Sequence, residues 1–478
     1  MNLQQLFELP IAKPFRRLIR PLIALLALHL SACGGELVAF FTVGGSVSGL
    51  VGPGLVLQIN GRGDLPVSAN GAFNFTVIFT SGVSYVVTVK SQPSDSSCVV
   101  TNASGTIGSA NILDVMVRCS PSPGFVYTIA APSYQISGYS IQSGSGTLTP
   151  LGSPVAAGTR PQNLIAAPSG SELYVSDVES DTVTVYSVDA ATGALSPLGT
   201  PVVTGPPGSE PVNMVIAPSG RFLYVNNAVG NVVTFSVDPA SGSLTAVGTP
   251  LSVGADMVVK FAMTPDGKFL YMLSGFGTSP AITVYTVNAT TGALTAGTGQ
   301  SVPAGSLSVG IDPLGRFLFL VAAQSTAEAT SASVIPYTID PSSGELTVSG
   351  AAATINSNGD AIVIEPTGHT AYVLDTFNLT PADNHVDVLD IDPSSGVLTA
   401  LGSPVQLPCQ ASSLVIDTSG QYLVVGGSGA TAASSSWYDA LTFSISKDSA
   451  SLGELTAAGL GTEYPLGMYG VGLVGVLE

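Results

Sequence analysis

The chain has 478 residues, only 9% of them Asp, Glu, Lys or Arg, with 55 glycines and 33 prolines. Beyond residue 32 it carries 30 acids against 9 bases and no basic stripe, which argues against a nucleic-acid partner. No apolar run in that region approaches the roughly 20 residues of a spanning helix. The apolar residues come instead in short alternating bursts between Gly, Pro, Ser and Asp clusters, the pattern of an all-β protein.

The first 33 residues form an address label. Lys13, Arg16, Arg17 and Arg20 precede an apolar stretch from Pro21 to Leu30, and small residues follow. This is the layout of an export signal. Leu30-Ser31-Ala32-Cys33 resembles the lipobox of bacterial lipoproteins. The resemblance implies a signal peptide over 1–32, a lipidated Cys33 and a short anchor or linker over 33–41. Gly34 after the cysteine favours the outer membrane, on its periplasmic or its surface side. The lipid is then the only expected contact with the membrane. An exported chain lives where disulfides persist. Cys98 and Cys119 are expected to pair, which leaves Cys409 as a buried spectator.

Residues 42–120 predict a small β-sandwich of Ig-like or prealbumin-like type. Leu55, Leu57 and Ile59 share one face of a strand, Phe73, Phe75 and Val77 another, and Tyr85, Val87 and Val89 a third. Asn70-Gly71 is a hairpin signal. Arg62-Gly63-Asp64 matches an adhesion tripeptide, but a turn between strands favours Gly and Asp without any adhesive role.

From residue 121 onward one unit recurs seven times. "APSGRFLYVNN" (217–227) returns as "APSGSELYVSD", "TPDGKFLYMLS", "DPLGRFLFLVA", "EPTGHTAYVLD" and "DTSGQYLVVGG". In register with its tyrosine stand Tyr127, Tyr174, Tyr224, Tyr271, Phe319, Tyr372 and Val424, 47 to 53 residues apart. A second phrase, "YSVDAATGALS" in one copy, keeps step through Gly146, Gly193, Gly242, Gly292, Gly344, Gly396 and Gly453. Each unit supplies four short strands, A to D, and four strands repeated about every 50 residues describe a propeller blade. The first B strand, at Phe125, has no A strand before it. The terminal "YGVGLVGVLE" is expected to supply that strand, closing a seven-bladed ring.

The wording of "PSGRFLYV" and "TVTVYSVDAATGAL" resembles the seven-bladed lactonase family of the 6-phosphogluconolactonase and YVTN-repeat kind, over residues 124–478. The resemblance implies a Pro-Arg-His sequence on A strands and a glutamate just after the B-strand tyrosine. Lactone hydrolysis needs such groups, a base for water and a donor for the oxyanion. This chain departs from that pattern. The histidine positions hold Asn163, Asn213, Lys260, Ser308, Ala361 and Ser413, the arginine position before Asn213 is Val212, and the glutamate positions hold Val178 and Ala228. His369 falls on a turn of the opposite face and His385 on a loop.

The candidate binding groups at the channel mouth are therefore Asn163, Asn213, Lys260, Ser308, Asp360 and Ser413. The loops 322–333, 375–385 and 426–439, the last with Trp437 and Tyr438, lie on the same face. Asp177, Glu179 and Asp181 read as a solvated loop, and neither metal nor cofactor is expected. The expectation is a monomeric, lipid-anchored binding or scaffold protein whose partner is an envelope protein, a glycan or a small molecule. The alternative is a lactonase for a sugar-derived or other cyclic ester.

Overall fold

The computed structural model describes residues 39–477 apart from 51–53, 92, 94–95, 122–123, 131–132, 143–144, 254–257, 276–278, 327–328, 356–358, 376–383, 408–409, 418, 429–436, 439, 447–452, 461–462 and 465–474. The leader with Cys33, and also Cys409, lie outside the described residues. No helix among the described residues is long and apolar enough to cross a membrane. The chain divides into two compact units, Met1–Pro93 with Cys98–Ser120, and Ser94–Ser97 with Pro121–Glu478.

The first unit holds two four-stranded sheets. One runs in the order Gly71–Thr80, Phe40–Ser48, Ile112–Pro121, Ser96–Thr101, and the other Arg62–Pro66, Val56–Ile59, Ser84–Ser91, Ser104–Thr106. Alternation decides the core. Leu55, Leu57 and Ile59 are buried together with Phe73, Phe75, Tyr85, Val87, Val115 and Val117 from both sheets. Cys98 and Cys119 are disulfide-bonded.

Two local expectations fail here. The hairpin forms at Asn60-Gly61, where both residues take positive φ, 52° and 66°. Asn70-Gly71 instead separates strands of different sheets, and Asn70 spends its side chain on both backbone groups of Leu50. Arg62-Gly63-Asp64 belongs to a strand rather than a turn. Its Asp64 carboxylate is already engaged by Lys90 and Gln58.

The second unit is a ring of seven antiparallel blades. In blades two to seven the innermost A strands are Pro161–Ala166, Pro211–Ile216, Val258–Met263, Ser306–Ile311, Ala361–Ile364 and Gln410–Ile416. The next strands outward, B, are Glu172–Asp177, Phe222–Asn227, Phe269–Ser274, Phe317–Thr326, Thr370–Leu374 and Tyr422–Ser428. In blade one Gly475–Leu477 pairs with strand B, Gly124–Ala130, so Val476 faces Val126 across the ladder. The expected closure by the chain's own C-terminal strand is present. Innermost strands of successive blades lie side by side around the whole ring, including both neighbours of Gly475–Leu477.

The two repeating phrases meet in space. Tyr224 of blade three donates its hydroxyl to the carbonyl of Gly292 in the C-to-D turn of blade four, at 3.0 Å. Tyr127 does the same to Gly193 (2.5 Å), Tyr174 to Gly242 (3.5 Å), Tyr271 to Gly344 (2.7 Å) and Tyr372 to Gly453 (2.9 Å). In blade seven, where the tyrosine is Val424, Thr442 supplies the hydroxyl to Gly146 at 2.7 Å. Phe319 of blade five has no hydroxyl to give Gly396. These tyrosines are fully buried. Burial pushes the Tyr224 hydroxyl up to about 12, which keeps it protonated and a donor.

The receiving turn is built by an Asx motif. Asp189, Asp238, Asp340 and Asp392, and neutral Asn288, accept backbone N–H bonds from the residues two and three positions later. The glycine that follows adopts φ between 64° and 83° in all seven copies. At Gly292 a Cβ would also stand 2.4 Å from the Phe222 ring of the preceding blade. Conformation and packing both demand glycine there.

Tyr224→Phe removes a buried bond and strands a carbonyl, so it should cost about 1–3 kcal/mol in equilibrium unfolding. Phe319→Tyr should move stability the other way, by about 1 kcal/mol, by giving Gly396 the missing donor. Equal, small effects of both changes would show that the latch carries no weight.

Candidate functional site

Five of the six candidate positions, Asn163, Asn213, Lys260, Ser308 and Ser413, are structurally equivalent through a feature invisible in the sequence, and in blade six the equivalent position is Ala361, one residue after Asp360. Each inner strand of blades two, three, four, five and seven slips register near its start, between Pro161 and Asn163, Pro211 and Asn213, Val258 and Lys260, Ser306 and Ser308, and Ala411 and Ser413. The slip inserts one extra residue and re-aims its neighbours, as a β-bulge does. In blade six the ladder starts at Ala361, and the Asp360 N–H donates to the Leu374 carbonyl at 2.8 Å. The seventh innermost strand, Gly475–Leu477, carries no candidate residue.

The ring is not uniform. Ser308 and Ser413 are buried, whereas Asn163, Asn213, Lys260 and Asp360 keep part of their surface. Lys260 and Asp360 come from blades four and six, yet their charges interact across blade five. Burial pulls the Lys260 ammonium below the usual lysine range, and the Asp360 charge opposes that shift without cancelling it. Lys260 keeps part of its surface as a residue while its ammonium is desolvated.

On the other side of Lys260 the amides of Asn213 and Asn226 both donate to the Val258 carbonyl, each at 3.3 Å. Asn226 is fully buried, and its Oδ1, like that of Asn163, meets no donor among the described residues. Asn226 escaped the sequence reading because it sits on strand B, one ladder rung across from Asn213.

Three further expectations are corrected. Residues 322–326 and 329–333 are strand rather than loop. Strands Phe317–Thr326 and Ala329–Ile339 stay paired to the Thr326–Ala329 rung, since small and β-branched residues without Gly or Pro give nothing to stop them. His385 opens strand His385–Ile391 and is buried, with Nε2 at 3.3 Å from Asp387 Oδ2. Trp437–Tyr438 is a two-residue strand paired with Glu463–Tyr464. His369, by contrast, stays on its turn, where its ring Nδ1 lies 2.9 Å from the Thr367 hydroxyl.

Asp177 is not solvated either. Strand alternation puts it on the face of Leu173 and Val175, sealed from solvent against blade one. It accepts from the Thr184 hydroxyl, and Gly158 passes so close that a Cβ would stand 2.2 Å from Asp177 Cγ. Burial raises its carboxyl to about 6, against the Thr184 and Gly158 hydrogen bonds. Asp181, one turn on, does face water and accepts the backbone N–H groups of Gly208 and Glu210.

The chain's opposite-face opening is chemically different. A cavity of about 520 Å³ is lined by Gly310, Ile311, Ile362, Ile364, Val415 and Asp417, among others, at the far ends of the same inner strands. It is apolar and lies on the side of the repeated Pro-x-Gly turns, away from the Lys260 level.

With this geometry in place, comparison with known proteins is informative. The sequence profile described as "Lactonase, 7-bladed beta-propeller" matches residues 95–209 and 208–309. Among curated proteins none matches the sequence. A crystal structure of a Lactobacillus plantarum protein shares 20% identity at TM-score 0.57, covering 75% of this chain and 100% of its own. A 6-phosphogluconolactonase-like protein of Bacteroides fragilis shares 20% at TM-score 0.58, covering 75% and 98%. The periplasmic gluconolactonase of Pseudomonas aeruginosa shares 19% at TM-score 0.52, covering 73% and 99%. At such identities the likeness establishes the fold and carries no residue roles across.

The Asp177 carboxyl makes a pH test. Its folded-state value lies above the unfolded one, so its contribution to stability is present below about pH 4 and lost as pH rises through about 6. Asp177→Asn has no such loss. The stability of the variant relative to the parent should therefore rise by about 3 kcal/mol between about pH 4 and pH 7.5 in denaturant titrations. A difference that stays flat with pH would place Asp177 in a solvated setting.

Proposed function

The propeller of this chain is a lactonase-like seven-bladed β-propeller, and from that premise we propose that it works as a binding protein of the cell envelope. It holds a small polar ligand, or a polar group of a partner, at the bulged ends of its inner strands. The observation that supports this reading is what occupies the ring. Acyl transfer to water calls for a base matched to neutral pH and a preorganised oxyanion donor. The six equivalent positions instead offer two carboxamides, two buried hydroxyls, an alanine and one lysine. Carboxamides, hydroxyls and a lysine suit recognition of hydroxyl and carbonyl groups. The two histidines of the propeller, His369 and His385, stand on an exposed turn and inside blade six.

The same reading makes the leader a lipoprotein signal and Cys33 the lipid attachment point, with the protein in the outer membrane. Metabolic labelling with a palmitate analogue should mark the parent chain and not Cys33→Ser. Labelling that survives the substitution would remove the anchor from the account.

The ring itself is tested by calorimetric titration of the purified protein with a panel of oligosaccharides, sugar acids and aldonolactones, each lactone also followed for hydrolysis. Binding weakened at least about tenfold by Lys260→Ala, a loss of about 1.4 kcal/mol, is the expected result. Lactone turnover that Lys260→Ala or Asp360→Ala abolishes would replace the binding reading with the lactonase one.

A further inference from the structure

Large apolar side chains left in water are few in this protein, and they are unevenly shared. Among the described residues eleven are exposed, and seven of these belong to the first unit although the propeller is much the longer. The four of the propeller, Val203, Val229, Leu314 and Val348, are scattered over blades two, three and five. Singly exposed residues of that kind need no explanation.

Five of the seven share one surface. In the sheet Gly71–Thr80, Phe40–Ser48, Ile112–Pro121, Ser96–Thr101, the side chains of Phe41, Phe79, Val100 and Ile112 pack toward the core beside buried Val115 and Val117. Alternation turns their neighbours Phe40, Ile78, Val99, Leu113 and Met116 outward, at least one from every strand. Phe40 and Ile78 are diagonal neighbours through the Phe40–Thr80 and Thr42–Ile78 rungs. Exposure of the first four runs from 57% at Ile78 to 64% at Leu113, on the face that an antiparallel sheet normally gives to polar residues. The four strands hold only two charged residues, Asp114 and Arg118, of opposite sign.

We propose that this outer sheet face docks on a phospholipid bilayer, with Phe40, Ile78, Val99, Leu113 and Met116 seated in the interfacial layer. Charge and position both favour that partner. Residues 39–120 hold three acids and three bases, whereas residues 121–478 hold 26 acids and six bases, a net of −20. A phospholipid surface, neutral to anionic, repels the propeller and not the small module. The sheet also begins at Phe40, seven residues past Cys33. Seven residues span at most about 25 Å, so a lipid on Cys33 holds this face within that distance of its own attachment point. The inference rests on the reading of Cys33 as the lipid attachment point. Tether and face then act together, since tethering raises the local concentration and a lipid anchor gains hold from a second membrane contact.

The full chain, as purified from membranes, is placed in vesicles of phosphatidylethanolamine and phosphatidylglycerol doped with a phospholipid that carries a diazirine on its acyl chain. After illumination, adducts are located by peptide mass spectrometry. Peptides covering Phe40–Ser48, Gly71–Thr80 and Ile112–Pro121 should take up severalfold more lipid than those carrying Val203, Val229 and Leu314, which are comparably exposed. Ile78→Thr combined with Leu113→Thr keeps strand-forming residues at exposed positions, so thermal unfolding should be unchanged while adducts on these strands fall severalfold. Adducts no more frequent on these strands than on the propeller would overturn the docking face, and a Cys33 marked by the palmitate analogue would then stand as an anchor alone. Adducts on the same strands in a chain whose Cys33 takes no label would keep the docking face and remove the anchor.

Discussion

One hydrogen bond, repeated around a circle, holds this propeller to its shape. In five of the seven blades a tyrosine on the second strand donates into the glycine carbonyl of the next blade's outer turn. The bond joins elements some 66 to 81 residues apart in the chain, and both partners are constrained by other demands. The glycine must take a positive φ and pass against an aromatic ring, and the tyrosine must be buried to the hydroxyl. Where the tyrosine is missing in blade seven, a threonine hydroxyl one strand outward restores the bond. Blade five, with Phe319, is the single junction among these seven that goes without. Alternation along strand His385–Ile391 puts buried His385 and Asp387 on the face of Leu389 and Ile391, which belong to the core shared by blades five and six. This seam combines a missing latch with buried polar side chains.

The same constraint explains why so much of the fold was legible. The tyrosine and glycine registers repeat because they bond to each other, so two periodicities in the sequence report one contact in space. Ring closure followed from a strand-less first blade and a spare terminal strand, which is arithmetic on the repeat. What stayed hidden depends on backbone shifts or on opposing partners. The bulges that make Asn163, Asn213, Lys260, Ser308 and Ser413 equivalent leave no mark on residue type. Asp177 looked solvated beside Glu179 and Asp181, but alternation within its strand turns it inward. Residues 322–333 read as a loop because they are small and polar, whereas 322–326 and 329–333 stay paired in a ladder.

Structure and charge set the ring's two ends apart. The turn face is rigid and repetitive, its short loops fixed by carboxylates and glycines. The bulged ends vary from blade to blade, and there the polar side chains gather. Lysine, carboxamide and carboxylate replace the imidazole and guanidinium that the family resemblance leads one to expect. A propeller scaffold tolerates such exchange because its stability lies in the blade junctions rather than in the inner ring. Fold and chemistry are therefore separable in this chain.

The charge state of Lys260 decides most between these readings. Lysine side-chain resonances, labelled with carbon-13 at the carbon beside the amine and assigned by Lys260→Arg, can be followed as pH rises. The account predicts that Lys260 loses its proton below the usual lysine range, and that Asp360→Asn lowers it further. A Lys260 resonance that titrates as a free lysine side chain does would contradict it.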